Sequence, residues 1–98
     1  MNEVIFSRPL KIWTGSNTEE VVLTVGGVDY IPADKGLSAC WGCKWSIPAI
    51  HPHAGRVYGE DELQALTNCL KFLKQLIAAE KEAGRDIWWL QEGDDCGL

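Results

Sequence analysis

Only one stretch of this chain, from about Glu60 to Ala83, spaces its apolar residues for a helix, so the fold must pack a single helix on something else. Leu63, Leu66, Leu70, Leu73 and Ile77 recur at three- and four-residue steps, the spacing that lines one helix face. Glu60, Asp61 and Glu62 fall in the first turn, where negative charge complements the helix dipole. Gly84 suits the C′ position, and Lys81 and Arg85 lie near the carbonyl end, where cations are favoured. Ala65, Cys69, Phe72 and Leu76 form a second, adjoining stripe. Together the two stripes span an apolar arc of roughly 200°, about twice what one packing surface needs. One sheet face leaves part of that arc uncovered, and the 48–58 segment, the chain ends or a partner must supply the rest.

The remaining segments read as strands. Val4-Ile5-Phe6 and Leu10-Lys11-Ile12-Trp13 form one strand interrupted at Pro9; proline lacks the N–H of a central ladder, which predicts an edge or a bulge there. Thr14-Gly15-Ser16-Asn17 is a turn cluster. Val21, Leu23 and Val25 alternate with Val22 and Thr24, and Val28-Asp29-Tyr30-Ile31 follows Gly26-Gly27. Two apolar runs joined by Gly-Gly predict a hairpin, because both glycines tolerate positive φ. Pro32 to Gly36 predicts the next turn. Trp41, Cys43, Trp45 and Ile47 occupy every second position and so share one face, expected to be core. Pro48 to Gly55 reads as a loop, and Ile87-Trp88-Trp89-Leu90 as a short last strand. The expected fold is α+β: an antiparallel sheet of about four to five strands on one long amphipathic helix, in the order β-β-β-β-α-β, with residues 1–98 as a single domain.

Composition restricts function more than it defines it. A length of 98 residues suits one domain, and 46% hydrophobic with 23% charged residues suits a globular one. The net charge of −5 opposes a nucleic-acid partner, whose phosphates require clustered Lys and Arg. No apolar run approaches the roughly 20 residues of a membrane span, and Met1 to Trp13 has no signal-peptide pattern. A cytosolic protein is expected, with its four cysteines as free thiols.

Three segments in order resemble a family of small uncharacterised bacterial domains. They are Trp41-Gly42-Cys43 in the strand, Gly59-x-Asp61-x-x-Gln64-Ala65-Leu66 at the helix start, and Gly93-Asp94 with Cys96-Gly97 in the tail. The resemblance implies a single-domain fold and no named activity. Gln64 is placed to bond a free backbone group of the first turn, and Ala65 is small enough for close backbone approach.

Cys40-x-x-Cys43 followed by His51-x-His53 supplies ligand types that build zinc sites. In an extended strand, however, Cys40 and Cys43 point to opposite faces with Cα atoms roughly 10 Å apart, too far for a shared ion or a disulfide. The Trp41/Trp45 face also claims Cys43. No metal or cofactor is expected. A Cys40–His51 or Cys40–His53 nucleophile pair lacks an orienting third group, and Gly26-Gly27 fits no phosphate-loop pattern.

The expected function is a non-enzymatic module that binds a protein partner, basic by complementarity, in the manner of immunity proteins or inhibitors. Trp88 and Trp89 would anchor it and Glu92, Asp94 and Asp95 would steer it. A homodimeric structural domain is the alternative, followed by a zinc- or cysteine-dependent enzyme at Cys40, Cys43, His51 and His53.

Overall fold

The computed structural model describes residues 4–90 and 96–98, Val4 and Ile5 by backbone alone. The elements are β1 (Val4–Trp13), β2 (Thr18–Ile31), β3 (Cys40–Ile47), β4 (His51–Gly59), α1 (Glu62–Glu82) and β5 (Ile87–Trp88). They form the expected α+β order, with one five-stranded sheet arranged β4-β3-β2-β1-β5. Every strand pair is antiparallel. The first four strands make a meander, and α1 carries the chain back so that β5 pairs with Lys11 and Ile12 of β1. Pro9 lies outside that two-residue pairing, where a missing N–H costs least.

Two strand assignments need correction. Gly26-Gly27 is not a hairpin loop: β2 runs through it for 14 residues, and the register against β3 shifts between Val25 and Val28. Two glycines inside a strand mark a bulge as readily as a turn. The segment expected as a loop after Pro48 is a three-residue turn followed by β4. Gly55 makes that strand possible, because it pairs with Trp45 and a Cβ on it would run into the Trp45 indole. The indole covers the bare glycine backbone and is itself braced by Phe72 at 5.2 Å and His51 at 5.4 Å between ring centroids.

The core forms between the sheet and α1. Leu10 and Ile12 of β1, Val21, Leu23 and Val25 of β2, and Cys43, Trp45 and Ile47 of β3 are buried on one face, while Trp41 is only half-buried. On α1 the buried line is Ala65, Cys69, Leu73 and Ile77, which corrects the expected stripe. Leu66 and Leu70 flank that line and are partly buried, whereas Leu63 is 72% exposed. Small side chains face the sheet because the helix sits close to β4 there: a Cβ on Gly59 would meet the Ala65 backbone. Asn68 Nδ2 also donates to the Tyr58 carbonyl at 3.0 Å. The wide apolar arc is thus covered partly by β4, the element expected as a loop.

Capping follows the sequence closely. Asp61 is the N-cap, its carboxylate accepting from Gln64 N at 2.7 Å, while Gln64 Oε1 accepts from Glu60 N at 2.6 Å. This resembles a capping box, except that the Gln64 side chain returns to the N–H of Glu60, one residue before the N-cap. Gly84, at φ +97°, ends the helix in the left-handed conformation that glycine adopts without strain. Among the described residues no helix is long and apolar enough to cross a membrane.

Candidate functional site

A helix with its side chains is roughly 10 Å wide, while five strands spaced about 4.8 Å apart span roughly 19 Å. One helix therefore cannot cover the inner face. It packs on β3 and β4 with lighter contact to β2, and the β1 side is left to the chain end. Arg8 on β1 lays its guanidinium 3.6 Å from the centroid of a Trp89 ring and donates from Nη1 to the Cys96 carbonyl at 3.2 Å. Cys96 is buried, and Gly97, at φ +77°, passes so near Trp89 and Arg8 that a Cβ would meet both. Trp89, Cys96 and Gly97 are held over β1 by Arg8 through this cation–π stack and hydrogen bond, the stack being a contact of about 0.5–2 kcal/mol depending on desolvation.

The clamp leaves an open cleft of about 590 Å³ between β1, the flank of α1 and the last residues. Phe6, Leu23, Val25, Leu66, Leu70 and Leu98 supply its apolar walls, and Arg8 lines it with its charge. Phe6 pairs with Val25 and Arg8 with Leu23, so all four project toward the helix side. Among the described residues no carboxylate forms an ion pair with Arg8.

Among the described residues the opposite face of the sheet carries no helix. Pro9, Lys11 and Trp13 of β1 alternate onto it, paired with Val22, Glu20 and Thr18 of β2. Trp13 is 40% and Val22 44% exposed there, and Leu90, two residues beyond β5, is 71% exposed. Trp88 pairs with Lys11 and shares this face, yet it is buried. The structure therefore separates the expected binding tryptophans in exposure: Trp88 is buried, and Trp89 is half-covered by Arg8 and Gly97. Glu92, Asp94 and Asp95 lie outside the described residues. Sequence reasoning overlooked Trp13, whose signal was its place one residue beyond the buried Ile12 in an alternating strand.

The cysteine and histidine candidates are not brought together. Cys40 and Ile47 begin and end β3, and His51 pairs with Ile47. Cys40 and His51 are thus separated by most of the strand, roughly 23 Å at 3.3 Å per residue. His51 Nδ1 instead contacts the His53 carbonyl at 2.8 Å. Cys43 does meet a thiol, that of Cys69 on α1, in the middle of the core. Burial raises the Cys69 pKa to about 12, with the neighbouring Cys43 adding to the shift. Burial raises Cys43 as well, partly offset by its hydrogen bond with Cys69. Thiols held protonated in this way are poor nucleophiles and poor ligands.

No curated protein and no solved structure matches the chain. A family model does match, over residues 6–98, which runs from within β1 through β5 to the last residue. The chain belongs to the family described as Domain of unknown function (DUF6968).

Proposed function

We propose that this chain is a small non-enzymatic protein-binding module that acts by occupying a partner's surface, as small acidic bacterial immunity proteins and inhibitors do. The observation that carries this reading is the exposed apolar surface at the β1/β5 edge, where Trp13 of β1 and Val22 of β2 stand in solvent and Leu90 does so two residues beyond β5. Tryptophan on a fixed strand is an effective interface anchor, because little side-chain freedom is lost on docking. The buried Trp88 beneath the same edge stiffens the platform. Glu20 and the tail residues Glu92, Asp94 and Asp95 supply negative charge in the same part of the sequence or sheet. With a net charge of −5, they favour a basic partner and fast encounter.

The test is capture of a partner from the source lysate on immobilised protein, followed by mass measurement of the purified complex and of the protein alone. A stoichiometric complex that a Trp13→Ala, Leu90→Ser protein fails to form, at unchanged melting temperature, supports the reading. A stable homodimer lost by the same substitutions would replace it with self-association.

A further inference from the structure

The cleft on the inner face is separate from that proposed interface and has its own chemistry. Its volume of about 590 Å³ falls within the roughly 300–1,000 Å³ of small-molecule sites. Its walls are mainly aliphatic and aromatic, with Ser7 and Gly97 among the lining residues and Arg8 as the one basic side chain, whose guanidinium is fixed by the Trp89 ring and the Cys96 carbonyl. Only Nη1 is engaged by that carbonyl, and an arginine carries five donors in a rigid fork that matches a carboxylate. The fork is therefore held in place before any ligand arrives, beside a mainly apolar open cleft.

We propose that this cleft binds a small apolar carboxylate, of the medium-chain fatty acid class, with its carboxylate on Arg8 and its chain against Phe6, Leu66, Leu70 and Leu98. The aliphatic part removes apolar surface from water. The charged end makes a charge-assisted hydrogen bond at the one basic side chain of the lining. An amine of the same length would bring like charge to Arg8, and an alcohol would lose the ionic part.

Calorimetric titration of the full chain with octanoate, octanol and octylammonium tests this, with amide chemical shifts locating the site. Octanoate should bind saturably at one site, about tenfold or more tighter than octanol, the worth of one such charged bond. Octylammonium should bind more weakly still. Arg8→Gln should remove the preference for octanoate over octanol, and Arg8→Lys should restore part of it. Leu66→Trp, which fills the slot from the helix side, should weaken all three ligands. Melting curves of each variant show whether the fold persists. If octanoate and octylammonium bind alike, or if Arg8→Gln leaves octanoate affinity unchanged, the proposal is wrong. It is equally overturned if octanoate binds only after Asp94→Asn and Asp95→Asn, since the chain's own carboxylates would then hold Arg8.

Discussion

Gly59 and Ala65 join the end of β4 to the first turn of α1 by direct backbone contact, with no space for a side-chain carbon on Gly59. The obstruction is backbone, so neither element can yield by a change of rotamer. Gly59→Ala should cost about 2–3 kcal/mol, the range of overpacked cores. Gly27→Ala is the control: a Cβ there meets nothing within 4 Å, so it should be neutral or stabilising by about 0.5 kcal/mol. Urea unfolding of the two variants measures both. Equal stabilities would contradict the close approach.

The capping pair gives a smaller, cleaner test. Asp61→Ala removes the acceptor for Gln64 N and should cost about 1 kcal/mol, while Asp61→Asn should cost only tenths. Gln64→Ala frees the Glu60 N–H, which is exposed and regains water, so its effect should be smaller than that of Asp61→Ala. Thermal melts at constant pH rank the three.

Trp45 and Leu63 separate this core from the one the leucine spacing suggests. Trp45 is buried against Gly55, Phe72 and the helix, and Leu63 is mostly solvent-exposed. Trp45→Ala should cost about 3–5 kcal/mol, and Leu63→Ala within about 0.5 kcal/mol of nothing. A large Leu63→Ala loss would mean the helix is rotated relative to this structure.

These residues also mark how far the sequence could be read. The class, the β-β-β-β-α-β order, the face shared by Cys43, Trp45 and Ile47, and the roles of Gln64, Ala65 and Gly84 were legible because each follows from local spacing or local backbone need. Misreadings arose where a distant neighbour decided the outcome. His51-Pro52-His53-Ala54-Gly55 has loop composition, and only the Trp45 indole lying over Gly55 makes it a strand. Gly26-Gly27 serves a turn or a bulge equally well until β3 is in place beside it. Three- and four-residue spacing fits the leucine stripe and the adjoining Ala65/Cys69 stripe alike, and only the close approach of β4 selects the small residues Ala65 and Cys69 for the interface. The proposed binding surface was hardest to place, since Trp13, Trp88 and Trp89 differ in exposure through β5 pairing and the Arg8 clamp.

The thiol pair makes stability depend on alkaline pH. In the folded chain Cys69 ionises only near pH 12 and Cys43 above its ordinary value of 9.0. In the unfolded chain both lose protons near that ordinary value, so above it the unfolded state binds fewer protons than the folded one. Stability contributed by the pair is therefore fully present below about pH 9 and declines as pH rises toward 12. Guanidinium unfolding at pH 8 and pH 10.5 should show the loss, and Cys43→Ala, Cys69→Ala protein should show less of it. A pair that reacts rapidly with a thiol reagent in the native state would contradict the burial.

The β1/β5 edge as a partner surface is tested most directly by titrating the purified partner against wild-type and Trp13→Ala, Leu90→Ser protein. The account predicts a loss of about 2 kcal/mol or more in binding free energy, carried mainly by faster dissociation, with melting temperature unchanged. Neutralising Glu92, Asp94 and Asp95 should instead slow association and flatten its salt dependence. A partner that binds the double variant at full affinity would contradict the assignment of this surface.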